Sequence, residues 1–232
     1  MVVKRSVAAV IQARMGSTRL PGKILKQLNG KPLLLFIIDR LKKMENLDEI
    51  IAATTEKKED DITQKFLEEN RIKFFRGSDD NVLERYYKVS LNFELDIIIR
   101  ITADNPFIDP EILTKGVKMF MDMNEKERNC DYLRTLKFPV GTNIEIFDSL
   151  TLNTVYKEAV SDYDKEHVTS YIYTHPEKFK IHEWVSDKDY SSYRLTVDTE
   201  EDFSFAVKVL QNLQPENNEF NLNDIINIIP RL

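Results

Sequence analysis

Ile11-Gln12-Ala13-Arg14-Met15-Gly16-Ser17-Thr18-Arg19-Leu20-Pro21-Gly22-Lys23 decides how this chain is read. The preceding residues, Ser6-Val7-Ala8-Ala9-Val10, form a short apolar run of the kind that makes a buried strand. A strand that runs straight into small residues and fixed cations is a phosphate-binding device. Gly16, Ser17 and Gly22 let the backbone approach an anion closely and turn its N–H groups toward it. Arg14, Arg19 and Lys23 bring positive charge to the same loop. Three cations call for several negative charges, so a triphosphate suits the loop better than a single phosphate. Its spacing matches neither G-x-x-x-x-G-K-[ST] nor G-x-G-x-x-G.

Outward from this loop, strands and helices alternate. Strands are predicted at residues 6–11, 49–55, 72–76 and 96–102. Helices are predicted at 31–41, with Pro32 near its first position, at 60–70, at 81–93 and at about 110–123. This βαβα order predicts an α/β fold, a Rossmann-like and mostly parallel sheet covered by helices. Ligands in such sheets sit beyond the carboxyl ends of the strands. The rule places the first loop, the segment after Thr54, residues 77–80 and residues 103–106 along one rim. The second half is less regular. Strands are expected at 130–135, 143–147, 179–185 and 194–197, and helices at 148–160, 165–175, 200–213 and 221–229. The expected division is one domain over 1–232, with a small inserted substrate lobe at roughly 130–190.

Composition narrows the partners. A net charge of −6 disfavours nucleic acid, yet leaves room for a nucleotide where cations converge. No run of apolar residues is long enough for a membrane span. The chain enters its first strand too quickly for a cleaved signal peptide, and the expected location is the cytoplasm. One cysteine, Cys130, rules out an internal disulfide and a cysteine-based zinc cluster. His167, His175 and His182 do not form a local metal motif.

Two aspartates end apolar strands. Asp104, in Thr102-Ala103-Asp104-Asn105-Pro106, would face the rim of the basic loop. There it could hold Mg²⁺ against nucleotide phosphates, because Mg²⁺ uses one or two carboxylates plus phosphate oxygens and water. Its competing role is a turn cap before Pro106. Asp198 precedes a helix, where it or Thr199 could serve as the N-cap, with Asp202 in the first turn. Asp162-Tyr163-Asp164 has the DxD form of a glycosyltransferase but precedes a predicted helix, and reads as a capping run.

Five motifs in order carry a resemblance. The first loop matches A-R-x-x-S-x-R-L-P-x-K at every marked position. Residues 77–86 match G-x-x-x-[DN]-V-L-x-R-Y, and residues 100–106 match R-x-T-A-D-x-P. Glu166-His167-Val168-Thr169 matches E-H-V-T, and Val197-Asp198-Thr199 opens V-D-T-x-x-D. The chain resembles the spore coat polysaccharide biosynthesis protein F group. That group is a cytidylyltransferase-like branch related to acylneuraminate and 3-deoxy-manno-octulosonate cytidylyltransferases.

The resemblance implies a fold of the nucleotide-diphospho-sugar transferase type and a homodimer, to which the helix with Tyr171 and Tyr173 could contribute. It also implies Mg²⁺-dependent transfer of CMP from CTP to an acidic sugar or a phosphorylated small acceptor, with release of pyrophosphate, in surface polysaccharide or glycan precursor synthesis. On this reading Arg14, Lys23 and the Met15, Gly16, Ser17 and Thr18 amides hold the phosphates. Asp104 and Asp198 hold the metal. Ala13, Thr54 or Thr55, Arg76, Gly77 and Ser78 border base and ribose. Arg100, Glu145 and His167 face the acceptor. One stretch departs from the group: its acidic P-D-G-x-D-x-E is Pro139-Val140-Gly141-Thr142-Asn143-Ile144-Glu145 here. Two fewer negative charges favour an anionic acceptor. The alternatives are a sugar-1-phosphate nucleotidyltransferase using another nucleotide, a cytidylyltransferase for a small phosphorylated alcohol or amino-acid derivative, and a non-catalytic nucleotide-binding protein.

Overall fold

The computed structural model describes residues 5–214 and 219–231. Its first half runs β1 (Val7–Gln12), β2 (Gln27–Leu28), β3 (Lys31–Pro32), α1 (Leu33–Leu41), β4 (Glu49–Thr55), α2 (Asp61–Glu69), β5 (Lys73–Gly77), α3 (Val82–Asn92), β6 (Ile97–Thr102) and α4 (Pro110–Met123). The second half runs β7 (Tyr132–Leu136), β8 (Glu145–Asp148), α5 (Ser149–Glu158), α6 (Asp162–His167), α7 (Ser170–Thr174), β9 (Ile181–Val185), α8 (Glu200–Leu213) and α9 (Leu222–Ile228).

Because Val7–Ile11 is apolar on both faces, β1 lies inside the sheet, parallel to β4 on one side and β6 on the other. The seven-stranded order is β5-β4-β1-β6-β8-β7-β9. Only β8 opposes the rest: it is antiparallel to β6 and β7, while β9 is again parallel to β7. The α/β, mostly parallel expectation holds. The reversal of β8 has a local consequence, because it carries the first residue of that strand, Glu145, to the rim where the other strands end.

Period-two alternation sends Ala9 and Ile11 into one layer and Ala8 and Val10 into the other. The first layer packs Phe36 and Ile37 of α1, Leu113 of α4 and Val209 of α8. The second packs Leu83 and Tyr86 of α3, Leu152 of α5 and Ile172 of α7. Each fully buried Leu, Ile or Phe contributes about 1.5–3 kcal/mol. Among the described residues no helix is long and apolar enough to cross a membrane.

Three local expectations change. Lys31 and Pro32 pair with residues 27–28, so α1 starts at Leu33 with Pro32 as its cap. Residues 194–197 are not a strand. They are tied to neighbouring loops through one bridge, Val140 to Arg194, and through Val197 N–H donating to Asp104 O at 2.7 Å. The neighbours of this segment are loops, which offer no continuous ladder. Residues 165–175 are two short helices, not one. Val168 breaks them at φ +61° and ψ −59°, and Thr169 N–H bonds to His167 O at 2.6 Å across it, a strained γ-turn.

Candidate active site

The first loop is pinned from behind. Ala13 N–H donates to Ala53 O at 3.1 Å and Met15 N–H to Asp60 Oδ1 at 2.8 Å. Buried Asp60 also accepts from Thr55 and Thr63. Met15 O in turn accepts from Ser17 N–H at 2.7 Å and Gly22 N–H at 3.2 Å, and the φ of +68° at Gly22 closes this turn. The Met15 and Ser17 amides are thus engaged inside the loop. The Gly16 and Thr18 amides have no partner among the described residues, and both residues line the cleft.

Lys23 gathers the residues that end two distant segments. Its Nζ donates to Val197 O at 3.0 Å and Asp198 Oδ1 at 3.0 Å, and lies 3.4 Å from Asp104 Oδ2. The other oxygen of Asp198 meets Arg19 at 3.1 Å and Arg194 at 2.7 Å. Burial pushes the Asp198 carboxyl up, but Lys23, Arg194 and Arg19 outweigh it and hold the group below the usual aspartate range. Capping falls to its neighbours. Thr199 and Asp202 form a reciprocal capping box at α8, which leaves the Asp198 carboxylate to the cations.

Two carboxylates held on one ammonium suit a divalent ion such as Mg²⁺. No cluster of three or more His, Cys, Asp or Glu arranged for a metal occurs among the described residues. The donor set therefore fits an ion that completes its shell with phosphate oxygens and water.

The cleft has two compartments that share Gln12, Arg14 and Glu166. One, of about 440 Å³, holds Gly16, Ser17, Thr18, Arg19, Lys23, Asp104, His167 and Asp198. The other, of about 500 Å³, is lined by Ala13, Asp79, Asp80, Val82, Arg85 and Asp162. Loop cations and free amides mark the first, carboxylates the second. Arg14 stands at the boundary and pairs with Asp79 at 2.8 Å, and Lys57 also pairs with Asp79. Burial raises the Asp79 carboxyl, but both cations together hold it below its usual value.

Arg100 and Glu145 lie outside both compartments. The reversed β8 sets Glu145 against Arg100 of β6, and the two form an ion pair lining neither compartment. Tyr132 and Thr169 hydroxyls also donate to Glu145. Burial raises the Glu145 carboxyl, yet the Arg100 charge and these donors hold it below the ordinary range. Arg100 then donates to Gln12 Oε1 at 3.1 Å. A guanidinium has no acceptor, so the amide oxygen of Gln12 must face it. Its NH₂ is left without a partner among the described residues, at the junction of the compartments.

Of the residues expected at base and ribose, most lie outside both compartments. Ala13 lines the carboxylate-rich compartment. Thr54 is fully enclosed and reaches neither compartment. Arg76 directs its donors at Thr55 O (2.7 Å), Asp61 (2.8 Å), Gln64 (2.7 Å) and Lys57 O (2.8 Å), bracing the segment between β4 and α2. Gly77 is packed on Phe75 and Arg85, and Ser78 Oγ accepts from Asn81 N–H at 3.1 Å. These residues back the wall, and Asp79, Asp80 and Arg85 form its surface. His167 lines the first compartment, its ring 4.2 Å from that of Tyr163. Sequence reading passed over Gln12, although a polar residue closing a wholly apolar strand is a signal. It also passed over Asp60 and Glu166, the latter inside a motif already noticed.

Comparison with known proteins follows this geometry. A family model described as cytidylyltransferase matches residues 8–224. The spore coat polysaccharide biosynthesis protein SpsF of Bacillus subtilis is 34% identical over 229 residues, covering 96% of this chain and 93% of that one. A cytidylyltransferase structure from Leptospira borgpetersenii superposes with a TM-score of 0.91 at 34% identity, covering 98% of this chain and 95% of the other. A CMP:2-keto-3-deoxy-manno-octonic acid synthetase complexed with CTP shares the fold, with a TM-score of 0.69 at 17% identity over 89% of this chain and 99% of that one.

Proposed function

The chain belongs to the cytidylyltransferase family, and on that premise we propose that it transfers CMP from CTP to a small anionic acceptor. The acceptor class is an acidic sugar or a phosphorylated small molecule, and the product is an activated precursor for surface polysaccharide or another glycan. The observation that carries this reading is the convergence of Lys23, Asp104 and Asp198 on a phosphate loop beside a carboxylate-lined compartment.

The nucleoside lies in the carboxylate-lined compartment, where ribose hydroxyls donate to the acids. The triphosphate crosses Arg14 into the first compartment and meets the Gly16 and Thr18 amides and Lys23. This lays the α-phosphate at the junction, within reach of the Gln12 NH₂. An acceptor oxygen, a sugar hydroxyl or a phosphate oxygen, attacks the α-phosphorus, the proton of a hydroxyl passing to His167, and the bond to the bridging oxygen breaks as pyrophosphate leaves. Lys23 offsets the charge that builds on the leaving group. Asp104 and Asp198 would hold Mg²⁺, which supplies charge neutralisation at the phosphates when bound. The protein's own task is positioning and electrostatic stabilisation.

The test is pyrophosphate release with Mg²⁺, scanning CTP, UTP, GTP and ATP against pools of acidic sugars, sugar phosphates and small phosphorylated alcohols. Release with CTP and one pool is expected. Release only with another nucleotide would make it a sugar-1-phosphate nucleotidyltransferase of different base. CTP binding without release from any pool would leave a nucleotide-binding protein.

A further inference from the structure

Arg85 is a buried cation without a counter-ion. It is 1% exposed, on the inner face of α3. Its Nη1 donates to Ser78 O, its Nε is buried with no partner, and no carboxylate comes within ion-pairing distance among the described residues. Asp79 and Asp60 act on it only at a distance, and Asp79 is already held by Arg14 and Lys57. A guanidinium buried with unmet donors is costly, so something outside the chain is expected to complete it. Arg85 borders the second compartment, beside the small apolar walls Ala13 and Val82.

The chemistry of that compartment restricts the ligand part that meets Arg85. Asp79, Asp80, Asp162 and Glu166 line it, so a phosphate is repelled there. A flat ring with hydrogen-bond acceptors toward Arg85 and a donor toward the carboxylates is not. Cytosine has adjacent acceptors, O2 and N3, which match the guanidinium fork, and an exocyclic amine that can donate to an acid. Uracil carries N3–H where cytosine has an acceptor, and a carbonyl where cytosine has the amine.

Resting on the CTP reading above, we propose that Arg85 is the base-reading residue of this enzyme, donating to O2 and N3 of cytosine and so setting its preference over uracil. Ser78 O holds the guanidinium in place for this.

The experiment is equilibrium binding to the full chain, with ligand-side and protein-side changes combined. On the wild type, CTP, UTP, GTP, 2-thio-CTP, 3-deaza-CTP and inorganic tripolyphosphate are compared. CTP is expected to bind best, and each analogue that weakens one acceptor to lose about 10-fold, the scale of a hydrogen bond to a charged group. In Arg85→Gln, CTP affinity is expected to fall by about 10–100-fold and the differences among CTP, its analogues and UTP to vanish, with tripolyphosphate affinity unchanged. Arg85→Lys keeps the charge without the fork; it is expected to bind CTP at intermediate strength and no longer to distinguish 3-deaza-CTP. Equal losses for all ligands including tripolyphosphate, or analogue penalties that persist in Arg85→Gln, would overturn the proposal and leave Arg85 a brace of the wall. Should Arg85→Gln not fold, the wild-type analogue series and Arg85→Lys decide, and unweakened analogue binding overturns it. A wild type without preference for CTP overturns the CTP reading itself. A preference that survives both variants overturns only the role of Arg85.

Discussion

Lys23 meets Asp104 and Asp198 from two other parts of the chain, so each substitution there is expected to act on rate before stability. Lys23→Met, Asp104→Ala and Asp198→Ala should each lower pyrophosphate release by about 10²–10³, the scale for removing one electrostatic stabiliser. Near-normal turnover in Asp104→Ala would remove its proposed role. Gln12 allows a sharper prediction. Gln12→Glu keeps the oxygen that Arg100 holds but replaces the NH₂ with a second acceptor at the compartment junction. Its kcat should drop by about 10² with KM for CTP moving far less, and steady-state kinetics will show the split. An equal rise in KM at unchanged kcat would place Gln12 in ground-state binding only. Lys23 was legible as one of three cations in a loop of small residues, and the two aspartates through the motifs that carry the resemblance, since each also suited a cap. The bonding of Gln12, Asp60 and Glu145 was not, because it follows from partners far along the chain.

At the level of elements, the loop at Gly141 and the extended segment 194–197 depend on each other. Gly141 has φ +96°, and a Cβ there would sit 2.6 Å from Thr196 N and 2.9 Å from Leu195 C. Those are backbone atoms, which cannot rotate away. The contact seats the segment that ends in Asp198, alongside bonds from Val140 N–H to Tyr193 O at 2.8 Å and Leu195 N–H to Val140 O at 2.7 Å. Gly141→Ala should therefore destabilise by about 2–4 kcal/mol, combining conformational strain with the close contact. In a chain of this size that lowers Tm by roughly 5–10 °C, with activity falling alongside. An unchanged melting temperature would mean that the segment can shift freely. The first-half elements were readable from apolar runs bounded by polar caps, such as Pro110 following the capping Asp109. The break between α6 and α7 was not, because a buried valine at positive φ leaves no Gly or Pro as a marker.

For the whole molecule, pH dependence tests the bond network behind the cleft. Glu145 is depressed in the folded state, so its ionised form stabilises the fold above its unfolded pKa, and that contribution disappears as pH falls through the folded value. The Tm gap between wild type and Glu145→Gln should be widest near neutrality and close only as pH falls beneath the ordinary glutamate range. A gap that stays constant with pH would assign the loss to packing. Sheet class and the functional rim were legible from alternating elements. The reversal of β8, which brings Glu145 to Arg100, was not, since strand direction depends on connections and not on local pattern. The ammonium of Lys23 between Asp104 and Asp198 also has a thermodynamic consequence. The resting protein is self-neutralised, so a free divalent cation must compete with an internal counter-charge until a polyphosphate draws that lysine away. Metal and nucleotide affinities are therefore linked. Calorimetry should find Mg²⁺ uptake weak in the unliganded wild type, stronger once a non-reactive CTP analogue is bound, and already raised in unliganded Lys23→Met.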